Sequence, residues 1–305
     1  MRLRLFAPDY WLTWAGLGVL RLVALLPYPV IVQAGRLLGA LLRRLPIRFV
    51  RTARRNMELC LPDLSSAARE SLLNEHFASL GVALLEIPFA WWSTPERLAK
   101  ITQFEGVEHL HAALARRRGV ILLTAHFTSL EMAGRTLLAL APVSFLYRPT
   151  KNAVLAYALK RFRTARGGHA IPRDDIRAFI SALKHNECVW YAPDQSYRKK
   201  GAEMVRLFGI PAATNTLTSR LARMTGATVL PYFFQRLPGT RGYRAVIHPP
   251  LPVSDCPADD TERFNRMIEA QVRLAPEQYL WIHRRFKGLS QDYPDYYARQ
   301  TPHRA

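Results

Sequence analysis

Apolar and polar positions follow two rhythms along this chain, and the change comes near residue 101. From Tyr10 to Leu42 apolar residues dominate, broken by Arg21 and by prolines at 27 and 29. A helix that crosses a bilayer needs about 20 apolar residues with few charges, and a mid-span arginine is costly. The pattern therefore predicts two membrane-associated helices over residues 9–42, monotopic or marginally spanning. A cleavable signal peptide is disfavoured, because the apolar character runs on past Pro27 and Pro29. Farther on, residues 63–100 read as helical, with Leu72, Leu73, His76, Phe77, Leu80 and Leu84 at helical spacing. Asp63 or Ser65 can cap the start of this stretch. Pro88 and "WWSTPERL" break it, and Thr94-Pro95-Glu96 reads as a new helix start.

Beyond residue 101 short apolar runs alternate with amphipathic stretches. "GVILLTA", "VSFLYRP", "HAIP" and "ECVWYAPD" predict strands, as do the later "ATVLPYFFQR" and "YRAVIHPP". Between and after them, "EMAGRTLLALA", "AVLAYALKRFRTA", "IRAFISALKHN", "TLTSRLARMTG" and "TERFNRMIEAQVRLA" predict helices. This alternation implies an α/β fold with a largely parallel, mixed sheet flanked by helices. The chain divides into a hydrophobic and basic segment over 1–50 and an α/β domain over 51–305. It has no repeat, low-complexity run or long linker, and "RKKGAEM" (198–204) reads as its most exposed loop.

Charge narrows the partners. With 43 Lys plus Arg against 23 Asp plus Glu in 305 residues, the formal charge is +20. Such a surface favours nucleic acid, an acidic protein or anionic lipid. The apolar N-terminal segment argues against nucleic acid, for which it has no use. The run Arg43, Arg44, Arg48, Arg51, Arg54 and Arg55 suits anionic lipid on the cytoplasmic side. Cys60, Cys188 and Cys256 form neither CxxC nor a zinc spacing, and fit a reducing compartment. Without a Gly-rich phosphate loop or HExxH, no cofactor and no metal are expected.

Reacting groups in open α/β sheets gather at the carboxyl ends of strands. Three such ends are polar here: His126, Arg148, and Asp194 with Gln195. If a helix starts near Thr128, Glu131 falls in its first turn, where its carboxylate can fold back toward His126. A carboxylate on one imidazole nitrogen fixes the tautomer and leaves the other to accept a proton from a hydroxyl. Thr128-x-x-Glu131 is equally a capping box, which would make His126 an ordinary loop residue. Arg148 can grip phosphate or carboxylate as a fork, or be a surface charge. Lys151 and Asn152 can add donors or cap the next helix, and Asp194 with Gln195 can orient a substrate hydroxyl or close an Asx-turn. In "PEQYLWIHRRFK", Trp281, His283, Arg284, Arg285 and Lys287 suit an anionic lipid or an acidic carrier, or a solvated basic helix end.

These stretches resemble the bacterial late-stage lipid A acyltransferases, the lauroyl and myristoyl transferases within the wider His-x4-Asp/Glu acyltransferase superfamily. "RTARRNMELCLPDLS", "GVILLTAHFTSLEMAG", "LYRPTKN", "VWYAPDQS", "LFGIPAATNTLTSRLA", "GATVLPYFFQR" and "PEQYLWIHRRFK" carry the resemblance, from about residue 50 to 290. It implies an acyltransferase fold on the cytoplasmic face of the inner membrane. It also implies transfer of a fatty acyl chain from acyl carrier protein to a hydroxyl of a lipid A precursor, an anionic glycolipid. His126 would be the general base and Glu131 its partner, without a covalent enzyme intermediate. Arg148 would match the family arginine near that pair, and Asp194 with Gln195 the aspartate-glutamine element. The segment "SYRKKG" after Gln195 is more basic than the family pattern. Two other readings remain: an acyltransferase acting on another glycolipid or a lysophospholipid, or a non-catalytic basic membrane protein that recruits acidic partners. The latter leaves the polar strand ends unexplained.

Overall fold

The computed structural model describes residues 5–45, 47–147, 150, 152–164 and 169–298. Four helices come first: α1 (Trp11–Val23), α2 (Tyr28–Arg44), α3 (Arg48–Cys60) and α4 (Ser66–Trp92). The alternating part follows with α5 (Pro95–Ala99), β1 (Thr102–Glu105), α6 (Val107–Ala115), β2 (Val120–Leu123), α7 (Leu130–Leu137) and β3 (Val143–Tyr147). It continues through α8 (Ala153–Thr164), β4 (His169–Pro172), α9 (Ile176–Lys184) and β5 (Cys188–Tyr191). A hairpin of β6 (Ala202–Leu207) and β7 (Ile210–Asn215) precedes α10 (Leu217–Thr225), β8 (Thr228–Arg236), β9 (Tyr243–Ile247) and α11 (Pro257–Leu274).

Seven strands form one sheet in the order β1-β9-β8-β2-β5-β3-β4. Its pairs are parallel except β8 with β9. The mixed, mostly parallel α/β sheet expected from the alternation is therefore present. β2 shows why its sequence is apolar at every position. It lies between β5 and β8, and its four residues are all buried. Ile121 and Leu123 enter one core with Met57, Phe179, Leu221 and Phe264, whereas Val120 and Leu122 enter the opposite core with Ile31, Leu110 and Met132.

α4 serves both cores, giving Leu73 and Phe77 to one and Val82 and Phe89 to the other. Ser65 caps its start by accepting from the Ala68 N–H at 3.2 Å. Contrary to the expected break, the helix runs through Pro88 to Trp92. The proline removes one backbone bond, while burial of Phe89, Ala90 and Trp91 beyond it offsets that loss. Thr94 then caps α5, accepting from the Arg97 N–H at 3.3 Å.

Helices α3 and α6, strand β1 and the β6–β7 hairpin were not foreseen, and the first residues of the hairpin lie in the stretch expected to be an exposed loop. The hairpin turns at Phe208 and Gly209, both with positive φ (51° and 74°). A two-residue turn of this kind ordinarily carries Asn or Asp before Gly. The sequence signal is thus muted by a phenylalanine, whose N–H is held by Glu269 at 2.6 Å.

The expected boundary at residue 50 falls inside α3, and α2 packs directly on α4 across it. Gly35 and Gly39 of α2 face Val82, Phe77 and Gly81 so closely that a Cβ on Gly35, Gly39 or Gly81 would overlap the opposite backbone. Part of the basic run is also internally paired: Arg43 and Arg54 bind Glu70, and Arg55 binds Glu58 and the Tyr296 carbonyl. Arg44, Arg48 and Arg51 stay exposed. Among the described residues no helix is long and apolar enough to cross a membrane.

A buried ion pair joins α4 to the sheet. Arg236, at the end of β8, donates to both oxygens of Glu86 at 2.6 and 2.7 Å and to the Ser79 hydroxyl at 2.9 Å. Tyr243 donates to the same carboxylate. Removing one partner strands the other charge without solvent. Arg236→Met should therefore lower stability by about 3–5 kcal/mol. Adding Glu86→Gln to it should restore part of that loss in a denaturation series.

Candidate active site

Strand register brings the first and the third of the polar strand ends together. Leu123 of β2 pairs with Tyr191 of β5, and the residues three places beyond each, His126 and Asp194, meet in the crevice. The His126 Nδ1–H donates to Asp194 Oδ1 at 2.6 Å, and its backbone N–H donates to Oδ2 at 2.9 Å. Tyr279 donates its hydroxyl to Oδ2 at 3.2 Å. Asp194 is buried, while the imidazole is partly exposed. With Nδ1 engaged, Nε2 is the nitrogen left to take a proton from a substrate. Burial alone would push the His126 pKa down, but the Asp194 carboxylate outweighs it and holds the pKa above the ordinary histidine value. Burial pushes Asp194 up, and its bonds to His126 reverse this, leaving it below the usual carboxylate range.

The loop carrying His126 is pinned by the segment that follows α11. Thr128 N–H donates to Gln278 O at 2.7 Å, Leu280 N–H donates to His126 O at 2.9 Å, and Phe127 bridges Tyr279. The expected capping box does not form. α7 begins at Leu130 after Ser129, without a side-chain cap. The Thr128 hydroxyl instead pairs with that of Ser79 at 2.8 Å. The carboxylate on the His126 ring nitrogen is that of Asp194, whereas the sequence had suggested Glu131. Glu131 Oε2 accepts from the Trp91 indole N–H at 3.2 Å, and Glu131 lines the same cavity as His126.

The remaining expected residues are dispersed. Arg148 and Lys151 lie outside the described residues. Asn152 acts as a cap and a tie: its Oδ1 accepts from Leu155 N–H at 2.9 Å, and its amide donates to Thr13 of α1 at 3.0 Å. Gln195 lines the crevice beside His126. His283 lies behind Asp194, its Nε2 accepting from the Ser196 N–H at 3.1 Å. Burial pushes its pKa down to about 4, so it is neutral at physiological pH.

The aromatic and basic surface expected in "PEQYLWIHRRFK" is largely interior. Trp281 is buried, with its indole N–H on Pro276 O at 2.6 Å. Arg285 is 3% exposed and donates to Ala213 O and the Thr214 hydroxyl. Arg284 remains outside, over the Tyr297 ring. The segment is not a helix end but an irregular stretch threaded between α3 and the hairpin. Asn56 holds it by donating to the Trp281 and His283 carbonyls.

His126 stands between two cavities. One, of about 450 Å³, is apolar, walled by residues including Leu42, Phe49, Phe77, Leu84 and Leu280, and it also reaches Glu131. The other, of about 480 Å³, is polar and aromatic, with Tyr147, Trp190, Gln195, Arg198 and Lys199 in its wall. Of their lining residues they share His126 and Leu130. Sequence reading missed Tyr279 as a ligand of Asp194, and the "QYLW" run gave no sign that its tyrosine points inward. Among the described residues no cluster of His, Cys, Asp and Glu could hold a metal ion.

The chain is similar to known proteins over nearly all of its length. Residues 2–288 match the sequence model of the bacterial lipid A biosynthesis acyltransferase family. The chain is 39% identical over 300 residues to a lipid A biosynthesis lauroyltransferase of Escherichia coli, covering 96% of this chain and 97% of the relative. It is 40% identical over 284 residues to a palmitoleoyltransferase of the same organism, covering 92% of each. A myristoyltransferase from that organism is 28% identical over 285 residues, covering 90% of this chain and 86% of the relative.

Asp194→Asn tests the electrostatics of the pair. Without the carboxylate, burial dominates and the His126 pKa should fall from above the ordinary value to below it in an NMR titration. The stability lost in the variant should be largest between the depressed Asp194 pKa and the raised His126 pKa. It should shrink on the acid side as Asp194 protonates in the wild type, and shrink again as pH rises through the His126 pKa.

Proposed function

Because the chain belongs to the bacterial lipid A biosynthesis acyltransferase family, we propose that it moves a fatty acyl chain from acyl carrier protein to a hydroxyl of a lipid A precursor. The observation that carries this reading is His126, oriented by a buried carboxylate and standing where an apolar cavity meets a polar one. An acyl chain fills the apolar space, and the thioester carbonyl lies at its inner end. His126 Nε2 takes the proton of the acceptor hydroxyl as its oxygen attacks that carbonyl. Asp194 keeps the proton on Nδ1 and stabilises the imidazolium that forms. Glu131, on the wall of the same cavity, is a second carboxylate for that positive charge. The tetrahedral oxyanion needs donors, and Arg148, directly after β3, is the candidate from chain position. Collapse expels the carrier thiolate, which recovers the proton from His126, and no acyl-enzyme forms.

Attachment to the cytoplasmic face of the inner membrane is part of the same proposal. Trp11, Leu12, Val19, Leu22 and Leu25, in and just after α1, are each at least 60% exposed. An apolar face of this kind suits a helix lying in the plane of the interface. Exposed Arg44, Arg48 and Arg51 would add attraction to anionic headgroups. Leu12→Asp with Leu22→Asp should release the protein from anionic vesicles in flotation at high salt. Retention of that variant would place the attachment elsewhere.

The transfer itself is tested by incubating the protein with acyl carrier thioester and lipid A precursor, and weighing the product. One added acyl chain is expected, and no addition to the precursor would overturn the reading. His126→Ala should abolish transfer. Asp194→Asn should reduce it on the order of 10²- to 10⁴-fold. His126 must be neutral to act, so wild-type kcat/KM should fall as pH drops through its raised pKa. The residual activity of Asp194→Asn should keep its acid limb at lower pH than the wild type.

A further inference from the structure

Glu131 stands in the first turn of α7, in a cavity wall made mostly of leucine, isoleucine and phenylalanine. The helix fixes where its Cβ stands, but a glutamate keeps several rotamers and its carboxylate can turn many ways. We infer that Trp91, near the end of α4, is a positioning residue of the transfer reaction, aiming the Glu131 carboxylate through its indole N–H. The inference rests on the acyl-transfer reading above, in which that carboxylate faces the imidazolium, and it adds a residue that lines neither cavity.

Trp91 Nε1 donates to Glu131 Oε2 at 3.2 Å across 40 residues of chain. The ring behind that donor is held on several sides. Trp91 is buried, and its indole stacks on Phe162 of α8 with centroids 4.7 Å apart and planes 13° from parallel. Trp92 meets the same phenylalanine edge-on at 4.8 Å. Leu17 of α1, with Val154 and Ala158 of α8, completes the cluster. The Asn152 amide on the Thr13 hydroxyl ties the start of α8 to α1. Three helices therefore fix a rigid ring whose one polar atom reaches a flexible carboxylate.

A buried indole needs an acceptor in any case, and a backbone carbonyl satisfies it, as Pro276 O does for Trp281. Trp91 differs in taking a side chain that shares a cavity wall with His126. An indole N–H donates only, so it orients a carboxylate without competing for a proton. Hydrogen bonds to charged groups are also the stronger kind. The ring that orients Glu131 rests in turn on α1, whose other side exposes Leu12, Val19 and Leu22.

Removing the donor while keeping the ring tests the assignment in the full chain, with acyl carrier thioester and lipid A precursor as substrates. Trp91→Phe does so, and β-(3-benzothienyl)alanine at position 91, with sulfur in place of N–H, preserves the indole shape should phenylalanine unsettle the fold. In either variant kcat should fall about tenfold, the size of one hydrogen bond to a charged group. KM for both substrates should stay within twofold, because Trp91 lines neither cavity. The same change made on Glu131→Gln should lower kcat less than twofold, since the neutral amide leaves no charge to aim. A purely structural tryptophan would cost the same factor in both backgrounds, and that result overturns the inference. So does an unchanged kcat in the benzothienyl variant, or a loss that appears in KM. A weak Glu131→Gln beside an unimpaired Trp91 variant sinks the inference alone. Full activity of Glu131→Gln sinks the role of that carboxylate in the transfer, and the inference with it.

Discussion

A charge with no access to water must be fully paired, and Glu86 is such a charge. Its carboxylate is 1% exposed and is bound by Arg236 through two nitrogens and by the Tyr243 hydroxyl. Desolvating two ions is recovered only when the geometry is good and the remaining donors are satisfied. That requirement fixes α4 against the ends of β8 and β9. It also reaches the site: the third Arg236 nitrogen bonds Ser79, Ser79 bonds Thr128, and the Arg236 backbone is clamped on both sides by Gln278. Gln278 in turn receives Thr128 N–H, two residues from His126. The loop that carries the imidazole therefore hangs on an ion pair in the interior.

Given that frame, the crevice is assembled by register. β2 and β5 end level with one another, so equal overhangs place His126 on Asp194. The pair then divides the space above the sheet. On one side helices supply leucine and phenylalanine, and on the other the β3, β4 and β5 ends supply tyrosine, arginine and lysine. A histidine at the seam faces both the apolar and the polar space.

Much of this was legible in the chain itself. The apolar run of β2 and the amphipathic helices around it announced a parallel sheet, and the position of His126 one residue past an apolar run marked it for attention. What escaped was nonlocal. Nothing near His126 indicates a partner 68 residues away, so the nearby Glu131 was the natural choice. Trp281 and Arg285 looked like a surface because they stand in a run of basic residues, which are mostly exposed. They are interior because Pro276 O, Ala213 O and Thr214 receive their donors. The β6–β7 turn was hidden by a phenylalanine in a conformation that favours glycine or asparagine.

The glycine seam between α2 and α4 has a mechanical consequence. Side chains between two helices act as padding, since rotamers can absorb small shifts. Gly35, Gly39 and Gly81 remove that padding and set backbone against backbone. α2 carries exposed Leu37 and Leu41 on its outer side, while α4 contributes Leu80 and Leu84 to the wall of the apolar cavity. The two helices consequently behave as one stiff plate, and a push on the outer surface displaces the cavity wall instead of dissipating in side-chain rearrangement.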